Sequence, residues 1–194
     1  TRAGSMAPAV LKRVLEDGAQ PLSGHQAVEQ GFGVIQVSKS IELLKSGRGY
    51  PRVRAVARWR DGFQVGGFFD RNRVPGSIPL GVDSFNPFEV SLSLTLPSWL
   101  RTDTASLSIP AVEQRDLQLR VDGSLPRGLI SGYVKGDDSR TAGTDMAYLI
   151  TAVNPRRFGQ SGSVGVQNVL DPGEYYREYV MVDSGLAGLS ISLE

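Results

Sequence analysis

The sequence predicts a mainly β protein: an immunoglobulin- or fibronectin-like antiparallel β-sandwich, preceded by a short two-helix segment and followed by extra C-terminal strands. Three observations support this fold class. Helical periodicity of the apolar residues is confined to residues 8–46. From about residue 50 the apolar residues recur at every second position, which is the period of a half-buried strand. The alternating runs are short, and turns rich in Gly, Pro, Asn and Asp separate them, as in antiparallel sandwiches.

The first predicted helix lies in the run "APAVLKRVLEDGA", residues 7–19. Its apolar residues recur on one side and the run ends at Gly18, a residue that commonly stops helices. The stripe consists of Val10, Leu11, Val14 and Leu15. These features predict a short amphipathic helix.

The second predicted helix follows the loop "QPLSGHQAVEQ" and the run "GFGVIQVSKSIELL". The glycines around Phe32 and the apolar pair after them predict a buried turn over residues 31–35. Val37, Ile41 and Leu44 then share one helical face, which Gly47 closes. If this face normally packs on another domain, the chain should expose an apolar patch, unless the face folds back on the sandwich.

The strands of the sandwich are predicted over residues 52–154. Each run alternates apolar with polar residues, and turns such as "RVPGSIP", "SFNPF" and "SLPRG" separate them. The runs are "RVRAVARW", "FEVSLSLTL", "ASLSI", "DLQLRVD", "GLISGYVKG" and "MAYLITAV". After a linker, "NPRRFGQSGSVG", two further candidates follow, "EYYREYVMVD" and "LAGLSISLE". Two strands do not form a stable sheet alone, so they either complete the sandwich or open a next β domain.

The composition excludes several classes of partner and site. The formal net charge is +1, which predicts no nucleic-acid partner and no membrane surface as a partner. Cys is absent, so disulfides and thiolate metal sites are excluded, while the compartment, secreted or cytoplasmic, stays open. No apolar run approaches the roughly 20 residues of a membrane-spanning helix. We expect no cofactor and no metal.

The helical segment carries a resemblance to a known family. "VLKRVLEDGAQPL" followed by "VEQGFGVIQVSKSIELL" resembles the end of the catalytic domain of subtilisin-like serine peptidases (subtilases), in particular the tripeptidyl-peptidase II type. The later runs "GGFFDR", "NPFEVSLSLTLPSWLRTDTASLSI", "LQLRVDGSLPRGLISGYVKGDD" and "YLITAVNP" are similar to the β-rich region of that family. "DPGEYYREYVMVDSGLAGLSISLE" is similar to the opening of its next domain.

The resemblance implies a division of the chain. Residues 7–48 would be the last helices of a catalytic domain, 50–154 a β-sandwich domain, and 155–194 a linker with strands that complete the sandwich or open the next domain. The parent protein would cleave peptides with an upstream Asp-His-Ser triad, and this chain would be a non-catalytic accessory region. The implied partners are the upstream catalytic domain, further copies in a homo-oligomer, and the peptide substrates of the parent. The alternative is a stand-alone β-sandwich module that binds carbohydrate or a surface protein.

A serine hydrolase needs a nucleophile, an imidazole base and an orienting carboxylate. Ser5, in "AGSMAP", is the one candidate catalytic residue, by comparison with the subtilase serine box. The expected Thr before the Ser is missing and the spacing to the Pro is one residue short, so residues 1–6 are interpreted as a cloning scar. His25, the only histidine, lies in a polar loop and is expected to face solvent. We therefore expect no peptidase activity from this chain alone.

Four other clusters have a functional and a structural interpretation, and the structural one is favoured for each. Asp70–Arg73 could contact a carboxylate, or form a turn with its charges in solvent. Asp137 and Asp138 could bind Ca²⁺, or form a hairpin turn. "YYREY" could be an aromatic platform, or pack in the core. The fourth cluster consists of Arg52, Arg54, Arg58 and Arg60. It could bind nucleic acid along a basic stripe, or be a solvated strand face or a contact with another domain.

Overall fold

The structure, a computed structural model, describes residues 8–46, 52–60, 62–71, 73–123, 125–158, 162–173, 176–182 and 190. Ser5, Gly47, Tyr175 and most of "LAGLSISLE" lie outside the described residues. The helices are α1 (Pro8–Gly18), α2 (Ala27–Gln30) and α3 (Val37–Lys45). The strands are β1 (Val53–Trp59), β2 (Gly62–Val65), β3 (Gly67–Asp70), β4 (Ser77–Ser84), β5 (Val90–Thr95), β6 (Leu100–Arg101), β7 (Ser106–Ile109), β8 (Gln114–Val121), β9 (Gly128–Asp137), β10 (Met146–Asn154), β11 (Arg156–Arg157) and β12 (Val180–Met181).

Ten of these strands form two five-stranded sheets. The first sheet has the order β2-β1-β4-β8-β6 and the second has the order β3-β10-β9-β5-β7. All pairs within them are antiparallel except β3 with β10, which is parallel. The predicted fold class, a β-sandwich behind a short helical segment, is confirmed.

The core of the sandwich consists of the apolar residues that alternate along the strands. In β4 the buried residues Ile78, Leu80 and Val82 alternate with half-buried or small ones, and in β5 Val90 and Leu92 are fully buried. β7, β8 and β10 contribute in the same way, with Ile109, Leu119 and Ile150. Burial of each such side chain stabilises the fold by about 1.5–3 kcal/mol relative to exposure.

Tyr148 links the two sheets across this core. It lies on β10, is 1% exposed, and its hydroxyl donates to the carbonyl of Gln64 on β2 at 2.5 Å. The same hydroxyl accepts a hydrogen bond from the amide of Ala57 on β1 at 3.2 Å. The phenol therefore stands between two strands of the opposite sheet. Burial raises the pKa of Tyr148 to about 12, so the hydroxyl stays protonated at neutral pH.

Strand β4 corrects the interpretation of "RVPGSIP" as a turn. Ser77–Pro79 belong to β4, although a proline within a run argues against a central strand. The register explains why Pro79 is tolerated. β4 pairs with β1 only from Leu80 onward, while Pro79 lies opposite Gln118 on β8. The missing amide therefore removes no hydrogen bond from the β1 ladder.

The helical segment follows the prediction at its two helices and departs from it between them. α1 ends at Gly18 and α3 covers Val37–Lys45 as expected, but the predicted loop also contains the one-turn helix α2. The chain does turn at residues 31–32, but the prediction that this stretch is buried is wrong, since Val34 is 50% and Ile35 51% exposed. Here the backbone of Val34 pairs with Gln20 by hydrogen bonds of 2.8 and 2.9 Å, and its side chain remains exposed.

The described C-terminal residues add little regular structure. β12 pairs in parallel with β11 and joins neither large sheet. "EYYREYVMVD" therefore supplies only two strand residues in the part of the chain that the structure describes, and the assignment of the tail to a next domain stays a prediction. Among the described residues, no helix has the length and apolar character needed to cross a membrane.

Candidate functional site

The candidate site is the helical segment, which contacts the sandwich on one side and exposes apolar residues on another. Its own packing depends on a small residue where α1 meets α3. A Cβ atom added to Gly18 would lie 2.1 Å from Oγ of Ser40, and Ser40 is 3% exposed. The Ser40 hydroxyl donates to the carbonyl of Gln36 at 3.1 Å, so it is satisfied within its own helix. The two helices therefore approach at van der Waals distance.

Gly33 fixes the connection between these helices. Its φ of +100° belongs to the region that favours glycine, and an added Cβ would lie 2.1 Å from the carbonyl oxygen of Gln20. The Gln20–Val34 bridge can form because no side chain occupies this space. This geometry gives the glycines of "GFGVIQVSKS" a structural role.

α2 attaches the segment to strand β9. The amide of Val28 donates to Oγ of Ser131 at 3.0 Å, and the amide of Ser131 donates to Oε1 of Gln26 at 3.1 Å. Beside this pair, the rings of Phe32 and Tyr133 stack with their centroids 4.5 Å apart and an interplanar angle of 23°. Such an aromatic pair contributes about 0.5–1.5 kcal/mol beyond its buried area.

α1 attaches the segment to the loop between β9 and β10. The carboxylate of Asp17 accepts a hydrogen bond from the amide of Thr144 at 3.1 Å, and Arg13 donates to the carbonyl of Asp145 at 3.4 Å. Val14, on the same helix, is completely buried. Burial raises the pKa of Asp17 to about 6, against the opposing attraction of Arg13 and the hydrogen bonds from Thr144.

The loop that receives α1 is held by its own carboxylates. Asp145 accepts hydrogen bonds from the amide of Asp138 at 2.6 Å and from the hydroxyl of Thr141 at 2.7 Å. Burial raises the pKa of Asp145 to about 6. Hydrogen bonds from Arg140 lower the pKa of Asp138 to about 2. These contacts hold the loop in one conformation beneath α1.

Seven large apolar side chains of the helical segment remain exposed, including Leu22 after α1 and Val28 on α2. Val37 and Ile41 are one turn apart on α3 and are 64% and 43% exposed. We call five of the seven the outer helical surface, and these are Leu11, Val34, Ile35, Val37 and Ile41. Leu44, the third residue of the predicted face, is half-buried. Two of the three residues of the predicted face are thus exposed.

The other residues singled out from the sequence do not join this surface. His25 is exposed, and its carbonyl accepts a hydrogen bond from Gln30. Asp137 is exposed, whereas Asp138 is buried and paired with Arg140 in the predicted turn. Among the described residues, no group of three or more His, Cys, Asp or Glu side chains is placed to bind a metal.

Three of these expectations need correction in detail. Asp70 is not in solvent, because it is 5% exposed and pairs with Arg60 at 3.4 Å. Arg54 and Arg58 do share the outer face of β1, but Arg60 lies beyond the strand with a φ of +51°. Tyr176 is 48% exposed and so does not pack in the core.

The chain is similar in fold to part of tripeptidyl peptidase 2. The crystal structure titled "Tripeptidyl Peptidase 2 (TPP II)" matches with a TM-score of 0.66 and 20% identity, over 79% of this chain and 14% of that one. At this identity the match shows a shared fold, and the chain spans only a small part of that protein.

Two further matches have lower TM-scores. A Porphyromonas gingivalis W83 protein of unknown function matches over 55% of this chain and 48% of its own, with a TM-score of 0.38 and 16% identity. A chaperone and tip-adhesin complex of Csu pili from Acinetobacter baumannii matches over 55% of this chain and 57% of that chain, with a TM-score of 0.39 and 10% identity. No protein-family model and no curated protein matches the sequence.

Sequence reasoning missed the residues that attach the helices to the sandwich. Asp17 and Thr144 are 127 positions apart, and Gln26 and Ser131 are 105 apart. No local pattern identifies such partners. The glycines at positions 18 and 33 mark close approach within the helical segment only, whereas Gly143 lies against the side chain of Asp17.

Proposed function

We propose that the chain is a non-catalytic accessory region of a subtilisin-like serine peptidase of the tripeptidyl-peptidase II kind. In this proposal the helical segment is the last part of the catalytic domain, and the sandwich supports it from behind. Homo-oligomer contacts and the peptide substrates of the parent belong to the same proposal. The similarity in fold to a part of tripeptidyl peptidase 2 supports it at the level of architecture.

The outer helical surface is the observation that carries the proposal. A free-standing sandwich has no need of a docked helical segment whose remaining apolar side chains face solvent. Large exposed apolar patches mark sites of contact with other proteins. If the rest of a catalytic domain covers Val34, Ile35, Val37 and Ile41, their exposure in this chain has a direct explanation.

The attachment to the sandwich fits a supporting role. The side chain of Gln26, just before α2, contacts Ser131 on β9, and the side chain of Asp17 on α1 contacts Thr144 in the β9–β10 loop. A domain resting on the outer helical surface would therefore be held against a rigid two-sheet base. The alternative, a stand-alone module for carbohydrate or a surface protein, is not better supported by the described residues.

The first test is the coding sequence upstream of this segment in the parent gene. The proposal expects Asp, His and Ser boxes in subtilase order. A parent gene that begins near Met6 would remove the basis for the proposal. In that case glycan and peptide binding screens would test the alternative.

A second test uses the parent protein, produced with Ile41→Asp and with a matched control. The control, Val112→Asp, changes an apolar residue that is 71% exposed on the sandwich. We expect Ile41→Asp to reduce peptidase activity or domain association in the parent and Val112→Asp to leave both unchanged. Equal activity of the two variants and the wild type would contradict the proposed interface.

The isolated chain is expected to be inactive. A serine-reactive fluorophosphonate should leave it unlabelled, and a parent protein with an intact triad should be labelled under the same conditions. Stoichiometric labelling of the isolated chain, lost in Ser5→Ala, would overturn the non-catalytic assignment.

A further inference from the structure

In the part of the chain that the structure describes, strand β2 ends the first sheet with an open backbone edge. It pairs with β1 on one side and is terminal in the strand order. The carbonyl of Gln64 binds the Tyr148 hydroxyl that also contacts Ala57 of β1, so the Gln64 carbonyl faces β1. Backbone groups of successive strand residues point to opposite sides. The amides and carbonyls of Phe63 and Val65 therefore face away from β1, toward the free edge.

The neighbouring edge, on β3, is closed by the chain itself. β3 follows β2 after Gly66, whose φ of +85° lets the chain change sheets. The amide of Phe69 on β3 donates to Oε1 of Gln64 at 2.7 Å, and Nε2 of Gln64 donates to the carbonyl of Phe69 at 3.4 Å. The Gln64 side chain thus replaces a neighbouring strand at Phe69. Among the described residues, nothing equivalent covers β2.

The side chains of β2 are apolar where an edge strand is usually protected by charge or proline. Phe63 is 72% exposed and Val65 is 64% exposed, and they lie on the same face of the strand. Such side chains can pack against alternate residues of an added strand, while the free backbone groups supply hydrogen bonds.

The charge around this edge indicates the kind of partner. Residues 58–73 contain four arginines and two aspartates, a net charge of +2. One of the aspartates, Asp70, is buried against Arg60. Four arginine side chains are exposed: Arg58, Arg60, Arg71 and Arg73. Arg58 pairs with Asp116 of β8 at 4.0 Å and Arg60 pairs with Asp70, so the net charge with Asp116 included is +1. A second copy docked edge to edge would bring positive charge against positive charge, whereas an acidic strand would gain favourable contacts.

We propose that the β2 edge binds an extended acidic segment of a partner polypeptide by strand addition. Apolar residues at alternate positions of that segment pack on Phe63 and Val65, and its carboxylates contact the surrounding arginines. This binding site goes beyond the accessory role proposed above and does not depend on it.

The test uses the full chain as bait for random dodecapeptides displayed on phage. We expect enrichment of sequences in which apolar residues alternate with Asp or Glu. A synthetic peptide with an enriched sequence should protect the amides of Phe63 and Val65 from hydrogen exchange. Its affinity should fall as salt rises and should fall about tenfold when Arg71 is changed to Glu.

Variants at the edge separate strand addition from other binding. Phe63→Thr with Val65→Thr keeps good strand formers at exposed positions, so the fold should survive, as circular dichroism and the thermal midpoint will show. This double variant should bind the peptide about tenfold more weakly or worse. The control is Val112→Thr, at another exposed apolar position, and should bind as the wild type does. Peptides N-methylated at alternate amides should lose binding.

Several outcomes would overturn the proposal. They are the absence of any enriched peptide, enrichment of basic peptides, binding that the double Thr variant does not weaken, and binding that survives N-methylation. A dimer in sedimentation that the double Thr variant abolishes would assign the edge to a second copy instead. Anionic vesicle binding lost in the same variant would assign it to a lipid surface.

Discussion

The surroundings of the Asp17 carboxyl group disfavour its ionised form, and this predicts how a substitution there changes stability. The perturbation is Asp17→Asn, which removes the charge but keeps an oxygen to accept the amide hydrogen bond of Thr144. At neutral pH the wild type holds an ionised carboxylate in a partly buried position between α1 and the β9–β10 loop. The variant holds a neutral group in the same place, so we expect it to be more stable.

The magnitude follows from the raised pKa. A change from 3.8 to about 6 corresponds to about 3 kcal/mol of stability lost on ionisation. Since Asp17 is partly exposed, solvent screening reduces this loss of stability. We therefore expect Asp17→Asn to raise the free energy of unfolding by about 1–2 kcal/mol at pH 7.5. The folded protein binds the proton more tightly than the unfolded chain does. The stabilising effect of protonation is therefore complete below pH 3.8 and is lost as the pH rises through about 6.

The assay is urea unfolding of both proteins from pH 4 to pH 8. The free-energy difference between them should be largest above pH 6.5 and should shrink toward pH 4. Asp145, whose pKa is also raised to about 6, keeps some pH dependence in the variant. The control is Asp116→Asn, which removes an exposed carboxylate near Arg58. A variant less stable than the wild type at pH 7.5, or a difference that does not shrink in acid, would refute the reasoning.

Two further stability predictions follow from the same structure. Tyr148→Phe should lower the free energy of unfolding by about 1–3 kcal/mol, because the amide of Ala57 and the carbonyl of Gln64 lose their shared partner. Denaturant unfolding measures this loss, and a change near zero would contradict the bridging role of the hydroxyl. In this chain Ile41→Asp should change the free energy of unfolding by about 0.5 kcal/mol or less, because Ile41 is 43% exposed. Val14→Asp should lower it by several kcal/mol, because Val14 is fully buried. Thermal unfolding of the pair checks the second prediction, and similar losses in both would show that α3 is buried in solution.

Much of the sandwich could be predicted because most of its strands alternate apolar with polar residues. β5 buries Val90 and Leu92 and exposes Ser91 and Ser93, so its sequence shows which face is inside, and the first half of β10 alternates in the same way before residues 150–153 are all buried. β2 lacked this signal, since its short run between glycines has no buried residue. β4 was missed because Pro79 argues against a strand, and only the register with β1 and β8 shows why it is allowed.

The candidate site was predictable only in part. The apolar face of α3 was visible in the spacing of Val37 and Ile41, but hydrophobicity alone predicted burial for Val34 and Ile35, which are exposed. Apolar character shows that a residue needs a partner and does not show which molecule supplies it. For the same reason, the contact of Asp17 with Thr144 could not be inferred, because their pairing depends on how the helices meet the sandwich.

The Tyr148 hydroxyl ties a short-range hairpin to a distant part of the chain. β1 and β2 pair directly, from Val56 with Val65 to Trp59 with Gly62, and such a hairpin needs only a short loop. At Ala57 and Gln64 a further contact passes through Tyr148, which lies 91 and 84 positions away. The polar contact at this point of the hairpin is therefore complete only when β10 is packed on the other sheet.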